Sequence, residues 1–138
     1  MEHASELKSL VLAFYDAVSR GDVSRLEGLL SRRGEVLFIG TDQNEWWIGR
    51  SSLVQSFKVQ IGELGGKMPI TGGDPQAYSE GTIGWVADRA KFSLPDGAEV
   101  PFRLTAVFRK EEDGWKIIQE HISIGVPNEQ AVGKKLTV

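Results

Sequence analysis

Phe102-Arg103-Leu104-Thr105-Ala106-Val107-Phe108-Arg109-Lys110-Glu111-Glu112-Asp113-Gly114-Trp115-Lys116-Ile117-Ile118-Gln119-Glu120-His121-Ile122-Ser123 is the stretch whose reading governs the rest of the chain. Its first half alternates apolar and polar residues with period two, the pattern of a strand with one covered face. Glu111-Glu112-Asp113-Gly114 reads as a four-residue loop that pairs Lys110 with Trp115 in an antiparallel hairpin. Regular parity then puts Phe102, Leu104, Ala106 and Phe108 on one face with Trp115, Ile117, Gln119, His121 and Ser123. The other face carries Arg103, Thr105, Val107 and Arg109 with Lys116, Ile118, Glu120, Ile122 and Ile124. Three isoleucines among charges that can pair suit a subunit interface better than open solvent.

The strand before this hairpin places Val86, Ala90, Phe92 and Leu94 on its apolar side, and alternation adds Asp88 to that set. A bulge in that strand would invert the assignment. Glu80-Gly81, Pro95-Asp96-Gly97 and Asp113-Gly114 supply the turns. Upstream the period is helical. Leu7, Leu10, Val11, Phe14, Ala17 and Val18 share one helical face, with Ser5 as cap and Gly21 as stop. Asp22 caps a shorter helix bearing Val23, Leu26, Leu29 and Leu30. Glu35-Val36-Leu37-Phe38-Ile39 reads as a strand, and a third helix runs from a Ser51 cap through Leu53, Phe57 and Ile61. Three helices followed by antiparallel strands predict an α+β fold in which helices cover one face of a curved sheet.

The chain has 138 residues, 41% of them hydrophobic and 25% charged, which fits one domain with a sizeable core. We expect a single domain over residues 1–138, with its core at about 5–127 and a tail at 128–138. Lys and Arg number 16 against 19 Asp and Glu, a net charge of -3. That balance speaks against nucleic acid as a partner. No apolar run is long enough to span a bilayer, and the acidic start Met1-Glu2-His3-Ala4-Ser5-Glu6 is unlike a secretory signal, so no membrane association and a cytoplasmic location are expected. The cysteine count of zero leaves no disulfide, Cys-based zinc site or thiol nucleophile to consider. With two histidines, no metal site is expected, and no phosphate loop, His-Glu-x-x-His or Gly-x-Ser-x-Gly occurs.

Three landmarks fall in a familiar order: Phe14-Tyr15-Asp16-Ala17-Val18-Ser19-Arg20-Gly21-Asp22, then Trp47-Ile48-Gly49-Arg50, then Asp113-Gly114-Trp115-Lys116-Ile117-Ile118 running into His121-Ile122-Ser123. This order resembles the SnoaL-like branch of the nuclear transport factor 2-like superfamily over about residues 5–127. The resemblance implies a cone-shaped α+β fold of three N-terminal helices on a curved, mostly antiparallel sheet. It also implies a homodimer through the outer sheet face, with Arg103, Thr105, Val107, Ile118, Glu120, Ile122 and Ile124 as the dimer face. The superfamily includes ketosteroid isomerases, polyketide cyclases, dehydratases and non-catalytic association domains. The isomerase positions do not match. Its helix-one tyrosine falls on Phe14 beside Tyr15, its general-base aspartate near Ile39 or Gly40, and its second aspartate near Ala106. Without those acceptors and donors that mechanism is rejected.

The inner face nonetheless carries Asp88, Gln119, His121 and Ser123 among apolar residues, the makeup of a small-molecule pocket. Asp88 and His121 are the candidate catalytic residues, one taking a proton and the other steering or returning it. Each also has a structural reading: Asp88 paired with Arg103 or Arg89, and His121 bonded within the core. Phe14, Trp46, Trp47, Phe57, Leu104, Ala106 and Phe108 complete the expected pocket with Gln119 and Ser123. Only one of Trp46 and Trp47 should face it, because neighbours in an extended segment point opposite ways. The expected function is binding of a small hydrophobic ligand, with cofactor-independent isomerisation, cyclisation or dehydration of a hydrophobic carbonyl compound as the chemistry. The alternative is a non-catalytic dimerisation or ligand-binding module. No cofactor is expected.

Overall fold

A computed structural model describes residues 1–137. In chain order its elements are β1 (Glu2–His3), α1 (Ser5–Arg20), α2 (Val23–Leu29), β2 (Leu37–Ile39), β3 (Trp46–Ile48), α3 (Arg50–Glu63), β4 (Ile70–Thr71), β5 (Gln76–Glu80), β6 (Ile83–Ser93), β7 (Glu99–Glu111), β8 (Gly114–Ser123) and α4 (Asn128–Val132). Helix α1 buries Leu7, Val11, Phe14, Ala17 and Val18 and half-buries Leu10, the stripe its periodicity predicts, but Ser5, expected as its cap, is its first residue and makes no capping bond. It stops at Gly21, whose φ of 66° and close approach to the Gly66 carbonyl, 2.5 Å from where a Cβ would sit, both demand glycine. The Asp22 side chain accepts from the Arg25 N–H at 3.0 Å and so caps α2. Helix α3 differs from expectation at its start: it begins at Arg50, behind Gly49 at φ 98°, and Ser51 lies inside it. The strand expected from Glu35 begins at Leu37.

The strands form a curved sheet in the order β1-β5-β6-β7-β8-β2-β3, with β4 added beside β6. All pairings are antiparallel except that of β2 with β8. Helices on one face of this sheet make the α+β cone that the sequence predicts. Phe102, Phe108, Leu104, Val86 and Ile117 project from the inner face into the core and are almost completely buried. Phe102 stacks on Phe92 with ring centroids 4.2 Å apart and meets Tyr15 edge-on at 6.2 Å.

One irregularity overturns the expected faces of β8. Lys110 stands opposite Trp115, as predicted, and Phe108 opposite Ile117. The next pair is Val107 with Gln119, which leaves Ile118 without a partner as a β-bulge. One extra residue reverses every side chain beyond it. Glu120 and Ile122 therefore face inward, level with Ala106 and Leu104, and are not part of the outer face. Gln119, His121 and Ser123 stand on the outer face opposite Val107, Thr105 and Arg103, so they leave the expected pocket. His121 is exposed. The bulge lies in β8; in β6 the ladder is regular, and Asp88 faces inward opposite Leu104.

Candidate active site in the cone

Between the helices and the inner sheet face lies a cavity of about 740 Å³. Phe14 and Val18 of α1, Leu26 of α2, Leu53 and Phe57 of α3, and Phe38, Trp47 and Phe92 of the sheet give it apolar walls. Glu120 is the polar group set among them. The register explains its position. An inner-face row runs Ala77, Val86, Ala106, Glu120, Phe38, Trp47 across six strands, so a carboxyl group occupies a place that every neighbour fills with an apolar side chain. Glu120 is 1% exposed, and neither of its carboxyl oxygens has a hydrogen-bond partner. Burial penalises the charged form and pushes this carboxyl well above the usual carboxylate range. A buried polar group left without a partner costs about 1–3 kcal/mol, which a ligand bonding to Glu120 would recover.

At the cavity's edge three polar residues, Thr41, Glu45 and Gln60, are tied to one another, while Ser56, Glu63, Lys67 and Ser93 also line it. Glu45 accepts from Gln60 at 2.8 Å through one oxygen, and from the Asp42 N–H at 2.7 Å and the Thr41 hydroxyl at 3.3 Å through the other. These bonds fasten the β2–β3 loop to α3 and leave Glu45 little capacity for a ligand.

Asp88 and His121 do not meet. Asp88 is 6% exposed and accepts from the Tyr15 hydroxyl at 2.9 Å and the Gly73 N–H at 3.1 Å. Burial and this bond push the Tyr15 phenol far above its ordinary range, so it stays a donor. A Cβ on Gly73 would fall 1.9 Å from the Arg89 carbonyl oxygen, so only glycine fits there. Asp88 thus anchors α1 and the β4–β5 connection to β6, and its partner is Tyr15, not Arg89 or Arg103. Its Oδ1 has no partner, and the residue borders a separate depression of about 430 Å³ with Arg89, Arg103 and Thr105.

The other expected pocket residues divide by face. Phe14, Trp47 and Phe57 line the cavity. Trp46 is 59% exposed and belongs to the outer side, one residue out of phase with Trp47. Leu104, Ala106 and Phe108 lie in the core beneath the sheet surface without lining the cavity. Ile122 and Ile124 line it, although parity had put them on the dimer face. Sequence reasoning missed Glu120 as a cavity residue. The available signal was the Ile117-Ile118 doublet, after which the apolar alternation continues as Ile122 and Ile124 instead of Gln119, His121 and Ser123.

Residues 7–127 match the SnoaL-like domain family. The chain belongs to that family. No curated protein matches the sequence. Among solved structures, this SnoaL-like domain is similar to a nuclear transport factor 2-like protein of unknown function from Pseudomonas putida KT2440, with TM-score 0.81 and 19% identity over 96% of this chain and 92% of the other. It is also similar to a candidate dehydratase of the same fold family from Streptomyces avermitilis, with TM-score 0.77 and 22% identity over 88% and 95% of the two chains. A third neighbour, a candidate calcium/calmodulin-dependent protein kinase type II association domain from Thiobacillus denitrificans, gives TM-score 0.74 and 17% identity over 86% and 94%. At these identities the likeness is one of fold. No helix among the described residues of the SnoaL-like domain is long and apolar enough to cross a membrane.

Proposed function

We propose that this SnoaL-like domain binds a small, largely apolar carbonyl compound in the cone and moves a proton on it through Glu120. The observation that carries the reading is a fully buried carboxyl with two unpartnered oxygens in the wall of an apolar cavity. A carboxyl whose charged form burial disfavours can serve both as acid and as base. In its ionised form Glu120 takes a proton from the carbon beside the substrate carbonyl, leaving an enolate. In a β,γ-unsaturated compound the same proton then returns to the γ carbon, which moves the double bond and isomerises it; in a β-hydroxy compound it goes to the hydroxyl, which departs as water and dehydrates it. Both outcomes balance without a further reactant. The fold likeness to a candidate dehydratase is in keeping with the second. Glu120 replaces the Asp88–His121 pair in this scheme.

The test is deuterium exchange beside the carbonyl of a panel of enolisable apolar ketones in D₂O, followed by NMR. Glu120→Gln should slow exchange by about 10²–10⁴-fold, and His121→Ala should leave it unchanged. Exchange that survives Glu120→Gln would contradict the proposal.

We also propose a homodimer through the outer sheet face, now with a different membership. Tyr78, Trp85, Val107, Gln119, Leu37 and Ile48 form one cross-strand row there, and none of the six is fully buried. A half-open row of this composition suits a self-complementary contact. Val107→Arg should convert the dimer to monomer in sedimentation at micromolar concentration. A wild-type chain already monomeric under those conditions would end this part of the proposal.

A further inference from the structure

Beyond α3 and the sheet, the cavity has an unfinished side, and the chain supplies apolar residues beside it that cover nothing. Ile124 lines the cavity at the end of β8 and is 43% exposed, and Leu94, at the tip of β6, lines it too and is 39% exposed. From Ile124 onward every described residue is exposed. Yet the segment carries Val126, Val132 and Leu136, at 56%, 58% and 50% exposure, and its helix α4 buries no residue. Polar tails in solvent have no need of three large aliphatic side chains. We propose that residues 125–137 form the missing wall of the ligand site, folding back over the cavity so that Val132 and Leu136 seat against Leu94 and Ile124.

This proposal rests on the cavity being the binding site. The occupant is determined by covalent continuity, because the segment leaves the body of the protein at a residue that already lines the cavity. Its reach suffices: residues 125–136 span up to about 40 Å when extended, and a cavity of this volume is roughly 11 Å across. The backbone bends at Gly133, at φ 74° just after α4. Closure would remove four exposed aliphatic side chains from water together with the apolar ligand.

The chain has no cysteine, so an introduced pair reports contact without interference. Leu94→Cys with Val132→Cys should cross-link within one chain about tenfold faster than a control pair of Leu12→Cys with Val132→Cys, whose first member is exposed on α1. In the full chain without cysteines, Val132→Asp with Leu136→Asp should speed dissociation of the apolar fluorophore 8-anilinonaphthalene-1-sulfonate by about tenfold. Cross-linking no faster than the control overturns the proposal, as does cross-linking only between chains. If neither wild type nor variant binds the fluorophore, the reading of the cavity as a binding site fails, and the cross-linking rate still decides whether the segment closes over it.

Discussion

Chemical unfolding of the wild-type chain should become easier as pH rises above the ordinary carboxylate range, and Glu120→Leu should remove that dependence. The cause is the buried carboxyl, whose folded-state pKa is raised by desolvation. Between its unfolded and folded pKa values the folded chain holds a proton that the unfolded chain has released. Stability therefore falls with increasing pH through that window, by up to about 1.4 kcal/mol per pH unit for one proton. It is greatest below the unfolded value and declines until Glu120 ionises in the fold. Glu111 acts in the opposite sense: Ser31 and Arg109 hold its carboxyl low, so its contribution is lost as pH falls. Glu120→Leu should be more stable than wild type at neutral pH by about 1–3 kcal/mol, since it removes a buried polar group with no partner. Glu120→Gln should also lose the pH slope, but its amide is itself unpartnered, so it gains less. A wild-type profile parallel to that of Glu120→Leu would contradict this account. Greater stability with diminished proton transfer is the trade expected of a residue kept for chemistry.

The second large effect concerns the floor of the cone. Phe102→Ala should destabilise the fold by about 3–5 kcal/mol, because it empties a fully buried site on the central strand β7. Phe92 would lose its stacking partner and Tyr15 its edge-on contact. Since Phe92 also lines the cavity, the vacated space lies directly behind that wall. Urea denaturation measures the loss, and a change below about 1 kcal/mol would show that neighbours collapse into the site more readily than these contacts imply.

The helices and the turns were legible in the sequence because each depends on local physics. Gly21 and Asp22 mark their boundaries through backbone freedom and side-chain capping, and Gly81, Gly97 and Gly114 all take the positive φ that their turns require. The inward direction of Asp88 was legible too, since β6 keeps a regular alternation along its length. What it bonds to was not, because Tyr15 lies 73 residues away and its contact is set by tertiary packing. The two-residue strand β1 and the short helix α4 carry too few positions to display a period.

The faces of β8 failed for a different reason. Parity is a chain of inference in which one unpaired residue inverts everything downstream, and Ile118 is that residue. Lys110 and Trp115 pair as predicted, although Glu111 also pairs with Gly114 and shortens the expected four-residue loop to Glu112-Asp113, so the error in facing enters only past Ile117. Following apolar content alongside parity would have exposed it, because an inner face of Gln119, His121 and Ser123 has nothing to bury. The correction replaces a histidine and an aspartate that never meet with a single buried glutamate.

Central to this account is that Glu120 is buried, without a partner, in the wall of an apolar cavity in the folded protein. NMR of the side-chain carboxyl carbon in ¹³C-glutamate-labelled protein, with the Glu120 signal assigned by its loss in Glu120→Gln, measures that directly across a pH titration. The account predicts that Glu120 stays protonated well above the pH at which the exposed glutamates titrate. A Glu120 signal that titrates together with theirs would contradict it.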